Sequence, residues 1–318
     1  MAREEFLSEK FQAIGTQCEV IVFRSSYPKA ALRLAHDEIA ALDQLASFFR
    51  SDSELTRLNV SDTETIVVSE YLFELLEVYA WAFSASRGLC DASVGRIFAE
   101  LVADTNPRLG EFLENHRAGT ANFAEVRLDR SKLTVHRPVG TILDLGGLAK
   151  SWLADRIALR IVEETQGGAL VNLGGDIALA GMVPDGGWRV KVTHDVSLSA
   201  GSPGQLVAIS SGGIATSSRL TRRWVDGSGT PREHLELADG SSIVESPFVS
   251  ATAAGRSALM ANFYALTSLL SGRRAISTMA GFATPALIRC SDGTRVSIGG
   301  WPSDGASSKY TQRLVAAQ

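Results

Sequence analysis

Residues 143–155 read LDLGGLAKSWLAD, in which a pair of glycines separates an apolar segment from a stretch with helical spacing of its apolar residues. The preceding letters TILDL are rich in branched side chains and predict a strand. Gly146 and Gly147 would then form a strand-to-helix turn, with the helix beginning near Leu148. Helix N-termini carry unpaired N–H groups and a partial positive charge, so this turn predicts a site where a ligand approaches the backbone.

The charged residues beside the glycines indicate which ligand such a turn would bind. Lys150 adds a cation in the first helical turn, which favours an anionic group such as a phosphate. Asp144 suits an adjacent role, in which it orients a ligand hydroxyl or base, or helps to hold a metal ion. The stretch alone equally allows a tight turn with a capping acid and a solvated lysine.

A second turn of the same character follows the apolar strand ALVNL. Gly174 and Gly175 precede Asp176, so two glycines and a carboxylate again stand at the end of a strand. Two such turns on successive β elements would line one cleft, because ligands gather at strand ends in open α/β sheets. Neither turn matches the GxGxxG or the Walker pattern, which excludes a standard Rossmann or P-loop site.

The rest of the chain alternates helical and β-rich segments. Apolar residues at helical spacing predict helices over 28–50, from the cap Ser69 to Gly88, and over 256–271. The β-rich segment 17–23 predicts a strand, EVRLD and KLTVHR predict a hairpin, and later short strands alternate with glycine-rich turns. The predicted fold class is therefore α/β or α+β.

Composition and charge limit the possible partners and compartment. The net charge of −4 gives no excess of basic residues, so nucleic acid is not expected as a partner. Cys18, Cys90 and Cys290 are far apart and lack CxxC spacing, which favours buried free thiols over disulfides or a zinc site. The chain shows neither a signal-peptide pattern nor a window long enough to span a membrane, so a cytoplasmic location without membrane insertion is predicted.

Six short motifs follow one another along the chain: IGT (14–16), LDQLASFFRSDSELTRLN (42–59), GLCDASVG (88–95), DLGGLAKSWLAD (144–155), NLGGDI (172–177) and ATSSRLTRR (215–223). In this order and at these intervals they resemble the motifs of the FAD:protein FMN transferases, the ApbE family. The resemblance covers nearly the whole chain. It implies a T-fold-like architecture of helices packed on mixed sheets, with FAD in a cleft between two domains.

The resemblance also implies an activity and a division of the chain. Family members move FMN from FAD onto a threonine or serine hydroxyl of an acceptor protein and release AMP, with Mg²⁺ assisting. We expect a helix-rich N-terminal part of the FAD cleft over 1–120. The glycine-rich core would occupy 121–318 and intertwine with the first part.

Carried over position by position, the resemblance implies cofactor-binding roles for Glu54, Leu55, Asn59, Asp91, Gly95, Asp144, Gly146, Gly147, Lys150, Gly174, Gly175, Asp176 and Ser217. Catalytic roles fall on Arg222 and His234. The family motif around the histidine, H.IDP.TG, reads HLELADGSS here, without its proline and threonine. His234 would contact the acceptor or a phosphate as a polar donor, or it is a solvated hairpin histidine.

The late helix departs from the family pattern at the metal ligands. The family motif ADALSTAL carries an aspartate and, one turn later, a threonine that help to hold the metal, whereas this chain places Asn262 and Leu266 there. Mg²⁺ prefers carboxylate oxygens, which neither residue supplies. The main-chain oxygen of Ala149 resembles a third ligand but does not replace a carboxylate, and Asp91 and Asp176 are candidates to compensate.

Two function classes therefore compete. The first is FMN transfer to a protein hydroxyl, with the attacking group on the partner. The second is an FAD-binding relative that has lost its magnesium site and is non-catalytic or hydrolyses FAD weakly. Retention of FAD through purification without release of AMP would favour the second class.

Overall fold

The computed structural model describes residues 5–98, 102, 105–116, 122–193, 204–220, 223–225, 231–233, 235, 237, 246–302 and 313–314. The helices in these residues are α1 (Pro28–Ala46), α2 (Glu54–Asn59), α3 (Glu70–Ala85), α4 (Pro107–Asn115), α5 (Ala149–Thr165), α6 (Ala258–Leu270) and α7 (Ala275–Gly281). Short 3₁₀ helices are formed by Ala92–Phe98, Phe123–Glu125 and Gly272–Arg274.

The strands are β1 (Phe6–Ala13), β2 (Thr16–Phe23), β3 (Thr65–Val67), β4 (Arg127–Asp129), β5 (Thr134–His136), β6 (Gly168–Leu173), β7 (Asp176–Gly181), β8 (Trp188–Val192), β9 (Gln205–Ile209), β10 (Gly212–Ser218), β11 (Arg223–Val225), β12 (Pro231–Glu233), β13 (Phe248–Gly255), β14 (Ala286–Cys290), β15 (Arg295–Ile298) and β16 (Arg313–Leu314). Helices and sheets are thus combined in one chain, which confirms the predicted α/β or α+β class.

Packing divides the chain into two compact units. The first unit contains Met1–Ile39, Lys150–Thr221 and Ser246–Gln318, and the second unit contains Ala40–Ala149 and Arg222–Glu245. The chain therefore enters the second unit twice, and one return to the first unit lies within the DLGGLAK motif. The domain organisation expected around a boundary at residue 120 stays a prediction.

An eight-stranded sheet forms the framework of the first unit, with the strand order β1-β2-β6-β7-β10-β13-β14-β15. Every neighbouring pair in this sheet is antiparallel. Short hairpins join β1 to β2, β6 to β7 and β14 to β15, whereas α6 and α7 lie between β13 and β14. A smaller sheet, β16-β9-β8, is mixed because β16 is parallel to β9 and β8 is antiparallel to it.

Helix α6 lies directly on the large sheet of the first unit, against β10 and β13. Gly213 and Gly255 make this close packing possible, since a Cβ at either position would overlap the main chain of α6 or the residue before it. The helix is thereby held at a short distance from the strands that carry the polar residues of this unit. Asn262 of this helix is 4% exposed, and its side chain meets Ser217 of β10.

The second unit combines α2, α3 and α4 with the small antiparallel sheet β3-β5-β4. Ser69 caps α3, and its Oγ accepts a hydrogen bond from the N–H of Leu72 at 3.2 Å. This confirms the helix start that the sequence predicts. The pairing of β4 with β5 confirms the predicted hairpin.

The strand predicted for TILDL is wrong, because residues 141–145 form neither strand nor helix. Main-chain partners hold the segment at separate points instead: the N–H of Gly95 donates to the Ile142 carbonyl at 3.2 Å, and the N–H of Asp144 donates to the Ala92 carbonyl at 2.8 Å. The branched side chains reflect burial rather than strand pairing, since Ile142 and Leu143 are 1% and 0% exposed.

The other predictions about single elements have mixed outcomes. The helices predicted over 28–50 and 256–271 are confirmed as α1 and α6, with slightly shorter bounds. All three cysteines are free; Cys18 and Cys90 are buried, whereas Cys290 is partly exposed. Within the residues that the structure describes, no helix has the length and apolar character needed to cross a lipid bilayer.

Candidate functional site

The glycine pair of the DLGGLAK motif forms an exposed turn in the second unit, just before α5 begins at Ala149. The helix start near Leu148 is therefore confirmed, although a loop rather than a strand precedes the turn. The half-buried Asp144 accepts the N–H of Gly146 through Oδ1 at 2.8 Å. This is the capping acid that the sequence left open as an alternative, and it leaves the exposed surface of the two glycines accessible to a ligand.

Asn59 fixes the residue in front of Asp144. Its Nδ2 donates to the Leu143 carbonyl at 2.8 Å, and the N–H of Leu143 donates to its Oδ1 at 2.9 Å. Asn59 and Leu143 are both completely buried. The side-chain amide is thus used as a main-chain clamp, which places Asn59 behind the predicted cofactor site rather than on its surface.

Tyr79, which the sequence motifs do not include, holds the other end of the turn. Its hydroxyl oxygen accepts the N–H of Leu148 at 2.8 Å and also faces the N–H of Gly147. Burial raises the pKa of the Tyr79 hydroxyl well above its ordinary value, and the charge of Asp144 adds to the shift. A tyrosine on the buried face of a predicted helix signals that its hydroxyl needs a partner, but the sequence does not say which one.

Two of the expected site residues in the SDSELTRLN motif stabilise the second unit from within. Glu54 is 9% exposed, and its carboxylate accepts the N–H of Ser69 at 2.7 Å and the Ser69 hydroxyl at 2.5 Å. Leu55 is fully buried. Glu54 therefore joins α2 to the start of α3, and Leu55 lies in the core.

The GLCDASVG motif forms the start of a 3₁₀ helix in the second unit. Asp91 accepts the N–H and the hydroxyl of Ser93 through Oδ1, at 2.7 and 2.6 Å. A Cβ at Gly95 would lie 2.7 Å from Cγ2 of Ile142, so the glycine is required for close packing against the irregular segment. Asp91 is half-buried, and Gly95 is buried.

In the first unit, Gly174 and Gly175 form the two-residue turn between β6 and β7, with φ of 69° and 97°. Both positive φ values suit the type I′ hairpin turn that glycine favours. A Cβ at Gly174 would lie 2.5 Å from Oγ1 of Thr16, so this turn sits closely against the start of β2. The turn directly precedes Asp176, which confirms that the glycines stand at a strand end.

Asp176 is the buried carboxylate of the first unit and is 5% exposed. Burial raises its pKa to about 7, the charge of Lys150 lowers it, and the charge of Asp155 raises it further. Lys150 is half-buried in the first turn of α5. The sequence-predicted residues Lys150 and Asp176 are therefore electrostatically coupled within this unit.

Asn262 lies at the centre of a buried polar cluster in the first unit. Its Nδ2 donates to the Ser151 hydroxyl at 3.1 Å and to Oδ2 of Asp176 at 3.5 Å. Its Oδ1 accepts the hydroxyl of Ser217 at 3.2 Å. The structure thus brings three predicted site residues together, Asp176, Ser217 and Asn262, and adds Ser151, which the sequence reasoning did not single out.

Asp155 positions the helix that carries this cluster. Its two carboxylate oxygens accept the N–H groups of Ala258 and Leu259, each at 2.8 Å, at the first turn of α6. Burial raises the pKa of Asp155, and these hydrogen bonds lower it. The residue is the last letter of the DLGGLAKSWLAD motif, but its partner lies 103 residues away, and no local signal in the sequence identifies it.

The residues at the ligand positions that the resemblance implies do not fit a magnesium site. The amide N–H₂ of Asn262, and not an oxygen, faces Asp176, and the Leu266 side chain at the second position supplies no oxygen. Within the described part of the chain, no three His, Cys, Asp or Glu side chains lie close enough to hold a metal ion. The Ala149 N–H donates to Leu145 at 3.2 Å; its carbonyl alone does not supply the missing carboxylate.

The two residues expected to act in catalysis, Arg222 and His234, lie outside the described residues. Their roles stay predictions of the sequence.

Comparison with known proteins gives one family. Residues 14–287 match the sequence profile of the ApbE family. The FAD:protein FMN transferase of Treponema pallidum is 31% identical over 200 residues, which cover 57% of this chain and 53% of that protein. The match to this curated relative therefore spans about half of its length.

Solved structures show the same fold. The ApbE protein of Thermotoga maritima superposes with a TM-score of 0.76 at 20% identity, covering 92% of this chain and 97% of that one. The flavin transferase ApbE of Vibrio cholerae gives a TM-score of 0.73 at 19% identity, covering 93% and 98% of the two chains. These similarities agree with the T-fold-like ApbE architecture that the sequence motifs predict.

Proposed function

The chain belongs to the ApbE family, and from this premise we propose that it binds FAD and transfers the FMN moiety to a threonine or serine hydroxyl of an acceptor protein, with release of AMP. The supporting observation is the exposed turn of Gly146 and Gly147 and the neighbouring Asp144, whose main-chain N–H donates to the Ala92 carbonyl and whose carboxylate accepts the N–H of Gly146. A fixed carboxylate beside exposed backbone suits recognition of a ligand with hydroxyl and N–H donors.

Lys150 supplies the positive charge that a dinucleotide requires. It stands in the first turn of the 17-residue helix α5, where the partial positive charge of the helix end adds to its own. A pyrophosphate bound there would be stabilised by both charges. The charge of Lys150 lowers the pKa of the buried Asp176, so the two groups interact electrostatically.

The transfer itself exchanges one bond to phosphorus for another. The acceptor hydroxyl oxygen attacks the phosphorus of the FMN half, the bridging P–O bond breaks, and AMP leaves with the electron pair of that bond. The proton of the hydroxyl passes to a base. Such a reaction depends on positioning and on charge neutralisation, which are the roles we propose for Asp144 and Lys150, whereas His234 and Arg222 are proposed to act near the acceptor.

A second candidate function is FAD binding without efficient transfer. It is favoured by the cluster around Asn262, in which an amide and the apolar Leu266 occupy the positions of the metal ligands. Without carboxylate ligands for Mg²⁺, we propose that the charge of the transition state is less well neutralised than in the family pattern. Weak hydrolysis of FAD to FMN and AMP belongs to this candidate as well.

The first experiment is a fluorescence titration of FAD with purified protein, once in EDTA and once in millimolar Mg²⁺. Saturable binding supports the proposed function, and its absence in both buffers contradicts it. Release of AMP, measured by chromatography with a threonine- and serine-containing acceptor protein present, then separates the two candidates. Incorporation of FMN into the acceptor, detected by mass spectrometry, supports transfer, whereas bound FAD without AMP supports the non-catalytic relative.

A matched pair of lysine variants shows whether the bound FAD uses the predicted site. Lys150→Gln is expected to weaken FAD binding about tenfold, since one charge on the pyrophosphate is lost. Lys132→Gln removes an exposed lysine that pairs with Asp129. This control is expected to leave the affinity unchanged within about twofold.

A further inference from the structure

Arg137 is a completely buried arginine in the second unit, just after β5. Its Nη2 donates to the main-chain carbonyls of Leu58, Asn59 and Ser61, the last two at 3.1 Å. Its Nη1 donates to the carbonyl of Pro138 at 2.9 Å. One guanidinium group thus binds the carbonyls at the C-terminal end of α2, which helix geometry leaves without intrahelical partners.

Burial of a charged guanidinium at this position costs free energy. Burial lowers the pKa of Arg137 to about 10, and no carboxylate among the described residues forms an ion pair with it. Its Nε has no hydrogen-bond partner there either. The main-chain carbonyls are therefore the described groups that compensate for the lost hydration.

The helix end that Arg137 holds is the one that carries Asn59. From that position the Asn59 amide exchanges two hydrogen bonds with Leu143, at 2.8 and 2.9 Å. Leu143 directly precedes Asp144, whose N–H is held by the Ala92 carbonyl and whose Oδ1 caps Gly146. Hydrogen bonds, together with the covalent links within Asn59 and between Leu143 and Asp144, therefore connect the guanidinium with the exposed glycine turn.

A lysine would not reproduce this arrangement. The planar guanidinium presents several donors in a fixed geometry, whereas an ammonium group is a compact charge on a flexible stem. Three carbonyls within four residues of chain, at positions 58, 59 and 61, are reached by one Nη atom here. Loss of this contact would release the end of α2 and, with it, the Asn59 amide.

We propose that Arg137 is a positioning residue for the dinucleotide site: it fixes the end of α2, so that Asn59 holds Leu143 and Asp144 in the geometry that receives FAD. This inference rests on the proposed function for the part that concerns FAD. The part that concerns the turn is independent of any ligand.

Two variants of the full chain test the proposal. Arg137→Lys keeps the charge, and Arg137→Met removes it while keeping the side-chain length. Hydrogen exchange followed by mass spectrometry on the peptide 141–149 measures the turn without FAD. Faster exchange in this peptide is expected for both variants, and exchange as slow as in the wild type contradicts the proposal.

Titration with FAD measures the consequence for the site, at a temperature well below the melting point of the least stable variant. Arg137→Lys is expected to weaken FAD binding of the folded protein about tenfold. A lower melting temperature with an unchanged FAD affinity would assign Arg137 a purely structural role and overturn the proposal. Arg130→Lys, at an exposed arginine of the same unit that pairs with Glu77, is the control and is expected to change neither readout.

A double-mutant cycle identifies the route of the effect. If Arg137 acts through Asp144, then Arg137→Lys changes FAD affinity by less than about twofold when Asp144→Asn is already present. If the effects of the two substitutions on FAD affinity are fully additive, Arg137 does not act through Asp144. If wild-type protein binds no FAD, the proposed function fails, and the exchange measurement still decides the positioning of the turn. If Arg137→Met does not fold, Arg137→Lys supplies both measurements.

Discussion

Oδ1 of Asp155 accepts a hydrogen bond from the main-chain N–H of Ala258 at 2.8 Å, which joins the second turn of α5 to the first residue of α6. Since α6 carries Asn262, this contact sets where the buried amide meets Ser217 and Asp176. The arrangement of the polar cluster in the first unit therefore depends on a capping contact outside the cluster.

The first prediction concerns this cap. In Asp155→Asn, one oxygen becomes an N–H₂ group that faces a main-chain N–H, so a buried donor loses its acceptor. We expect the free energy of unfolding to fall by about 1–3 kcal/mol, as measured by urea denaturation. Asp292→Asn, at an exposed hairpin acid that accepts the Thr294 N–H, is the control and is expected to cost less than about 0.5 kcal/mol. Equal losses in the two variants would contradict the role of the cap.

The second prediction concerns pH. Burial raises the pKa of Asp176 from 3.8 to about 7, so the folded chain binds this proton more tightly than the unfolded chain. The resulting stabilisation is complete below pH 3.8 and is lost as the pH rises towards 7. Between these values the contribution falls by at most about 1.4 kcal/mol per pH unit.

Urea denaturation of the FAD-free protein at several pH values tests this, with Asp176→Asn as the comparison. The wild type is expected to lose stability relative to Asp176→Asn as the pH rises from about 4 to 7, the interval between the unfolded and the folded pKa. Parallel pH profiles for the two proteins would show that Asp176 ionises normally.

The third prediction concerns Gly146→Ala, which is expected to affect FAD binding but not folding. The atoms nearest to a Cβ at Gly146 belong to the Asp144 carboxylate, the first at 3.2 Å, so Gly146→Ala is expected to fold after a small shift of that side chain. It is expected to weaken FAD binding about tenfold, because the methyl group lies on the exposed surface of the turn. Gly281→Ala, where a Cβ would meet nothing within 4 Å, is the control for the same chemical change. Unchanged affinity in Gly146→Ala would move the ligand away from this turn.

The fourth prediction concerns a variant that restores the family residues at the two metal-ligand positions. Asn262→Asp combined with Leu266→Thr places a second carboxylate beside Asp176 and a hydroxyl one turn later. Two buried acids repel each other, so the metal-free variant is expected to be less stable than the wild type. Mg²⁺ is then expected to raise its melting temperature and to tighten FAD binding about tenfold.

The wild type and Leu266→Thr alone are the comparisons for this variant. Both are expected to respond to Mg²⁺ by less than about twofold in FAD affinity. An equally strong response of the wild type would show that another set of ligands binds the metal, and the loss of the magnesium site would be refuted.

Local signals in the sequence predicted local structure well. Ser69 lies three residues before its hydrogen-bond partner Leu72, and the Gly174–Gly175 turn joins adjacent strands, so pattern and outcome agree. The strand predicted for TILDL is wrong because the contact that decides its structure is not local. Its branched residues suit both a strand and a buried loop, and the choice depends on the Asn59 amide, 84 residues away in sequence.

The candidate site shows the same limit. Motif resemblance identified Asp144, Asp176 and Asn262, but not what each side chain contacts, because those contacts form between distant segments. Tyr79 and Asp155 were missed as positioning residues, since their partners lie 69 and 103 residues away. The roles inferred for Arg222 and His234, the domain boundary and the cytoplasmic location stay predictions.

Because the chain passes between the two units more than once, the units cannot be produced separately by simple truncation. The second unit consists of two stretches, Ala40–Ala149 and Arg222–Glu245, with more than one hundred and fifty residues of the first unit before, between and after them. No single cut in the gene separates the units, and a recombinant second unit requires a new linker from Ala149 to Arg222. A whole unit therefore cannot be exchanged between relatives by a single end-to-end fusion.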